Sequence, residues 1–170
     1  IVSYPRSGNT LVINTVARIL QAQVLDGFPG TNYPFSKLIY QRDYRFPRLV
    51  KEHRALREYK GDKIVFVVRD GRDTVISLAY MTLKAGMHNF TRRRDLADFI
   101  RWLDRDFMYG GWANHMSDMD ALCEYPDKLV VRYPDVATSY TPFARIVRFL
   151  QPEIKICDEK VADFYAGKDN

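Results

Sequence analysis

Residues 64–68, Ile-Val-Phe-Val-Val, form an unbroken β-branched and aromatic run. That is the pattern of a strand buried on both faces of a parallel sheet, and it predicts extended structure over 63–69. Shorter patterns of the same kind predict strands over 1–4, 48–52 and 128–132. Between them the apolar positions switch to helical spacing. Val12, Val16, Ile19 and Leu20 predict a helix over 11–24, and Val75, Ile76, Leu78 and Ala79 predict another after a turn at 70–73. Residues 96–125 read as helical with a break at Gly110-Gly111, and 158–165 as a last short helix. Residues 142–150 read as a closing helix with Thr141 as N-cap and Pro142 in its first turn. Strands alternating with helices predict a single α/β domain over 1–170, built as three layers with a mostly parallel central sheet flanked by helices. Residues 26–49 interrupt this alternation with Gly27, Pro29, Gly30, Pro34 and Pro47, and carry Phe28, Tyr33, Phe35, Tyr40, Tyr44 and Phe46. A connection of that length is expected to be functional, and its aromatic faces suit an acceptor-side pocket, although some of them must be core.

The polar breaks between these elements carry the chemistry. Pro5 stops the first strand, Arg6-Ser7-Gly8-Asn9 makes a turn, and a helix begins at Thr10. A strand–loop–helix junction aims several backbone N–H groups and the positive helix end at one spot, which suits a phosphate. Against the pattern G-x-x-x-x-G-K-[ST], Gly8 and Thr10 match, while Ser3 stands for the first glycine and Asn9 for the lysine. The loop is thus P-loop-like, with its one cation, Arg6, moved inside it. The plainer alternative is a surface turn that caps a helix. A second anion segment follows the 63–69 strand: Arg69 ends the strand, and Asp70-Gly71-Arg72-Asp73 makes the turn. Ligands of open α/β sheets bind at strand carboxyl ends, so Arg69 is expected to face the same ligand as the first loop. Ser77 lies one helical turn after Asp73, and by spacing alone it reads as a helix-surface serine before it reads as an anion ligand.

Tyr4-Pro5-Arg6-Ser7-Gly8-Asn9-Thr10-Leu11 resembles the 5′-phosphosulfate loop, Tyr-Pro-Lys-Ser-Gly-Thr-Thr-Trp, of sulfotransferases that use 3′-phosphoadenosine 5′-phosphosulfate (PAPS). Val67-Val68-Arg69-Asp70-Gly71-Arg72-Asp73, continuing through Ser77, is similar to that family's 3′-phosphate segment. Val50-Lys51-Glu52-His53 resembles its Lys-Thr-His, and Trp112 to His115 its Trp-x-x-His. Leu129 to Asp135 is similar to its late strand ending in Tyr-Glu-Asp. Five segments in the family's order are a specific signal where any one alone would be weak. The resemblance implies transfer of a sulfuryl group from PAPS to an acceptor hydroxyl, or an amine, with no metal and with adenosine 3′,5′-bisphosphate as product. His53, Arg6 and Lys51 are the implied catalytic residues: His53 as base, Arg6 on the leaving phosphate, and Lys51 on the sulfuryl oxygens. Arg6, Ser7, Gly8, Asn9, Thr10, Arg69, Ser77 and Tyr133 are the implied donor-binding residues. Two substitutions depart from the family pattern: Arg6 stands for its lysine, and Leu11 for the tryptophan that stacks on adenine, which turns attention to Tyr133 for the base.

Such residues suit the chemistry. Sulfuryl transfer, like phosphoryl transfer, is a loose in-line displacement with charge building on the leaving oxygens. A guanidinium stays protonated and binds two oxygens at once. An unperturbed imidazole titrates near ~6.5, which suits a base at neutral pH.

Composition narrows the setting. A chain of 170 residues with 46% apolar and 28% charged residues is long enough for one domain with its own core. A net charge of +5 suits an anionic cofactor or an acidic acceptor and does not by itself call for nucleic acid. No apolar stretch approaches a membrane span. Cys123 and Cys157 lie far apart without ligand spacing, which fits a reduced, cytoplasmic setting. Arg92-Arg93-Arg94 reads as a solvated run, and Asn89-Phe90-Thr91 as a chance sequon. The start at Ile1, without Met or targeting segment, reads as a trimmed end. The expected acceptor is a small molecule or a saccharide. Two other functions remain compatible with the loops: a P-loop kinase or NTPase using Thr10 and Asp70 on magnesium, against which Asn9 stands, and a non-catalytic nucleotide-binding module, against which His53 and Lys51 stand.

Overall fold

Val2 is the seam of the sheet. The computed structural model describes residues 1–26, 48–53, 63–86, 93–105, 111–121, 125–155 and 157–166. Within them β1 (Gln23–Asp26) pairs in parallel with β2 (Arg48–Lys51), and β3 (Ile64–Val68) pairs in parallel with β4 (Lys128–Arg132). Val2 makes parallel bridges to Glu52, just past β2, and to Phe66 of β3. On one edge Ser3 N–H donates to the Glu52 carbonyl and Glu52 N–H to that of Ile1; on the other, Val2 N–H donates to Val65 and Val67 N–H to Val2. The lateral order is therefore β1, β2, the segment around Val2, β3, β4, with every strand running the same way.

The sheet is covered on both faces, which explains the all-apolar β3. Val65 and Val67 pack into one core with Val12 and Val16 of α1 (Asn9–Leu20). Val136 of α5 (Tyr133–Thr138), Phe143 and Ile146 of α6 (Thr141–Leu150) and Val161 of α7 (Asp158–Ala166) complete that core. Ile64 and Phe66 face the other way, with Val2, and Met116 of α4 (Gly111–Ala121) packs on them. Beside that lies a third cluster of Tyr4, Val75 and Leu78 of α2 (Gly71–Lys84), and Phe99 and Leu103 of α3 (Arg93–Arg105). The α/β three-layer expectation holds. Among the described residues no helix is long and apolar enough to cross a membrane.

Several local expectations need correction. The helix read over 11–24 stops at Leu20, where Gln21 turns left-handed at φ 50°, and residues 23–26 form β1. Gln21, Ala22 and Gln23 are good helix formers, but the parallel partner at 48–51 outweighs propensity. The bridges of segment 1–4 centre on Val2, with Ile1 and Ser3 supplying the hydrogen bonds toward Glu52. The strand expected over 128–132 is present as β4, and Tyr133 then opens a short helix with Pro134 in its first turn. The N-cap of α6 is Tyr140, without a side-chain bond, and Thr141 is already helical. Gly111 opens α4 at φ +85°, while Gly110, the other half of the expected break, lies outside the described residues. Residues 27–47, with their aromatic series, lie outside the described residues, as do Cys123 and the sequon at 89–91. Cys157 is a free, exposed thiol.

Candidate active site

Because the strands are parallel, the carboxyl ends of β2, the Val2 segment and β3 lie side by side. They deliver His53, the loop 4–10 and Arg69 to one edge of the sheet, the place where open α/β folds take ligands.

The central loop is a strained turn. Ser7 N–H donates to the Tyr4 carbonyl at 3.1 Å, Arg6 takes φ 68°, and Gly8 takes φ 97° at the N-cap of α1. A left-handed arginine costs free energy, and the Arg69 guanidinium offsets it by donating from Nη1 to the Arg6 carbonyl at 3.1 Å. Gly8 is required for room as well: a Cβ there would lie 2.3 Å from Cδ2 of Tyr133. The first turn of α1 holds no acidic residue, so its outward N–H groups and positive end stay available to an anion. Thr10 is exposed on that turn, and Leu11 beside it is exposed too. Ser7 and Asn9 are buried. The Asn9 side chain faces the sheet, where Nδ2 donates to the carbonyls of Ile1 (3.2 Å) and Glu52 (3.1 Å). Toward a ligand Asn9 thus offers its backbone, while its amide ties two strands together.

On the β3 side the structure brings three expected residues together. Arg6 Nε donates to Ser77 Oγ at 3.2 Å, across 71 positions of sequence. Arg6, Arg69 and Ser77, with Asp73, Tyr80 and Lys84, line an open cleft of about 720 Å³ along α2. Three cations against one carboxylate give that cleft a positive character. Arg69 Nε is buried without a hydrogen-bond partner among the described residues, and Asp73 stands 3.9 Å from Nη2. Tyr133 lies under the same guanidinium, 4.5 Å from its ring centroid, so its ring is packed between Arg69 and Gly8. Asp70 caps α2 and is engaged by Arg72: Oδ1 accepts from the Arg72 N–H and Nε, and Oδ2 from Nη2 at 2.8 Å. Those bonds hold its carboxyl down at about 2.

On the β2 side, Lys51 ends the strand half-buried, and His53 follows two residues later, 6% exposed. His53 Nδ1 lies 2.8 Å from the Ser3 carbonyl. A carbonyl only accepts, so Nδ1 carries a proton, and in the neutral form of the ring the lone pair lies on Nε2. The His53 N–H donates to Glu52 Oε1 at 2.8 Å. Two further residues reach the site from α4. Trp112 Nε1 donates to the Arg69 carbonyl at 3.2 Å, and His115 Nε2 donates to the His53 carbonyl at 2.7 Å. The Trp-x-x-His spacing marks them in the sequence, but nothing local to it says that they hold backbone carbonyls.

The sulfotransferase domain family model matches residues 1–165. A 3-beta-hydroxysteroid sulfotransferase of Cavia porcellus is 25% identical over 173 aligned positions, covering 91% of this chain and 58% of the relative. Sulfotransferase 2A1 of Rattus norvegicus is 23% identical, covering 80% and 52%. Among solved structures, mouse sulfotransferase SULT7A1 complexed with PAP superposes with a TM-score of 0.76 at 22% identity, over 99% of this chain and 63% of that one. Retinol dehydratase in a complex with retinol and PAP gives 0.73 at 20% identity, with the same coverage. The chain thus spans between half and two-thirds of the length of these proteins.

Proposed function

The chain belongs to the sulfotransferase domain family, and from that premise we propose that it transfers a sulfuryl group from PAPS to the hydroxyl of a small-molecule acceptor. The observation that carries the reading is the convergence of Arg6 from the first loop with Arg69 and Ser77 from the second on one cationic cleft. A buried guanidinium nitrogen without a partner and a helix start without acidic residues are what a two-phosphate ligand would satisfy.

PAPS, when bound, supplies an activated sulfuryl group on a phosphate leaving group. Every other part falls to this chain. Arg69 and Ser77 hold the 3′-phosphate, with charge-assisted bonds about twice as strong as neutral ones. The loop N–H groups of 8–10 and Arg6 hold the 5′ end, and Arg6 stabilises the charge that grows on the leaving oxygen. His53 takes the acceptor proton at Nε2, the nitrogen left unprotonated by the bond from Nδ1 to Ser3. Lys51 faces the sulfuryl oxygens. Tyr133 serves the donor side by keeping Arg69 flat against the loop. The steroid and retinol named for the similar proteins favour a small apolar alcohol over a saccharide. The free, exposed Cys157 fits a reducing, cytoplasmic setting, and a single domain fits the continuous sheet.

Incubation with [³⁵S]PAPS and a panel of steroid, retinoid, phenol and sugar alcohols tests the proposal. Label is expected on a small apolar alcohol, with matching release of adenosine 3′,5′-bisphosphate. Binding of the bisphosphate without label on any acceptor would favour the non-catalytic module instead.

A further inference from the structure

Trp112 and His115 sit one helical turn apart on α4 and each donates a side-chain N–H to the backbone carbonyl of a site residue, Arg69 and His53 respectively. We infer that α4 sets the spacing between the donor-binding and proton-accepting halves of the site, with Trp112 and His115 as its positioning residues. The inference rests on the proposed sulfuryl transfer.

Both contacts are built in. The indole of Trp112 covers the start of α2 so closely that a Cβ on Gly71 would lie 2.6 Å from its Cδ2. The ring of His115 is 1% exposed, edge-on to Tyr4 at 5.4 Å and tilted against Phe66 at 5.7 Å. It is thus wedged between the strand entering the loop and β3. The near end of α4 has little freedom: a Cβ on Gly111 would fall 1.5 Å from the Asp104 carbonyl of α3. A helix braced at its start holds each of the two strand ends through its own bond. His53 and Arg69 stand on opposite sides of the loop, so their separation sets where the acceptor oxygen meets the donor. Reacting groups displaced by about 1 Å lose about 10²-fold in rate.

The two bonds predict opposite kinetic signatures. Trp112→Phe keeps the ring and removes the N–H, so the Kd for adenosine 3′,5′-bisphosphate should rise about 3- to 10-fold, and kcat should fall by less than about 2-fold. His115→Gln can place an amide N–H near the position of Nε2, whereas His115→Asn is too short to reach the His53 carbonyl. His115→Asn should lower kcat about 10- to 100-fold with bisphosphate Kd within about 2-fold, and His115→Gln should recover most of it. The ¹⁵N resonances of His53 in the unliganded protein should shift in His115→Asn and stay put in Trp112→Phe. The inference is overturned if both substitutions change Kd and kcat alike, if Gln and Asn at position 115 behave the same, or if only Tm falls. A wild-type protein that binds no bisphosphate would instead overturn the proposed function, and the His53 resonances would still report on the α4 bond.

Discussion

The strand ends on either side of the loop are held in different ways. On the β2 side the contacts are buried and use main-chain partners. His53 Nδ1 bonds the Ser3 carbonyl, its own carbonyl accepts from His115, and Asn9 crosslinks the carbonyls of Ile1 and Glu52. On the β3 side Trp112 holds the Arg69 carbonyl, but the contacts that face the cleft run between side chains or from a side chain to an exposed turn: Arg6 to Ser77, Arg69 to the Arg6 carbonyl, Arg72 to Asp70. A base must hold one nitrogen in one place, and buried main-chain bonds do that without a ligand. An anion cleft must admit a large charged molecule, and exposed side-chain contacts are those an incoming phosphate can replace. One half is preorganised, and the other is ready to exchange partners.

The strongest way to break this contrast is at His53. His53→Ala should cut turnover by about 10²- to 10⁴-fold and leave bisphosphate affinity unchanged, as single-turnover rates and calorimetry would show. A joint loss of both would mean that the two halves are not separate.

Stability gives the next largest difference. Asn9→Ala removes two bonds that tie neighbouring strands together, although both carbonyls keep their ladder partners, and should lower unfolding free energy by about 1–2 kcal/mol, read from urea midpoints. Ser77→Ala, on the exchangeable side, should change it by less than about 0.5 kcal/mol. Equal losses would mean that both sides are structural.

How far the sequence foretold this contrast depends on the range of each signal. The all-apolar 64–68 run can only be a strand covered on both faces, and the structure packs it that way. Arg69 is legible as the polar end of an apolar strand, whereas spacing alone reads Ser77 as a surface serine and only the family resemblance sets it beside Arg69; both line the one cleft. The bond from His115 to His53 joins residues 62 apart, and β1 exists because of a partner strand, so neither leaves a local mark. Asn9 shows a further limit. Its position in the loop suggested an anion ligand, and only the neighbouring strand reveals where its amide is used.

Arg69→Ala sharpens the contrast from the cleft side. It should weaken bisphosphate binding about 10- to 50-fold, since it removes a charge-assisted bond. The His53 tautomer, read by ¹⁵N shifts, should not change.

The smallest effect reports how dry the buried side is. Burial, helped by the nearby Asp104 carboxylate, pushes the Tyr4 phenol up to about 12, and its hydroxyl has no partner among the described residues. The unfolded chain releases that proton near ~10, so the fold keeps its full stability below that pH and loses it as pH rises toward the folded value. The loss should reach about 1–2 kcal/mol, and Tyr4→Phe should flatten that limb of the pH–stability curve. A wild-type curve already flat above pH ~10 would mean that water reaches the phenol.

The central claim is that the cationic cleft and the loop together take a nucleotide carrying a 3′-phosphate and need no metal to do so. A thermal-shift titration compares adenosine 3′,5′-bisphosphate without magnesium against ATP with magnesium on the wild-type protein. At about 100 times its Kd the bisphosphate should stabilise the fold by about 2.7 kcal/mol, and ATP with magnesium should give less at equal concentration. The reverse order, with ATP preferred and the metal required, would contradict the sulfotransferase account and support phosphoryl transfer at this loop.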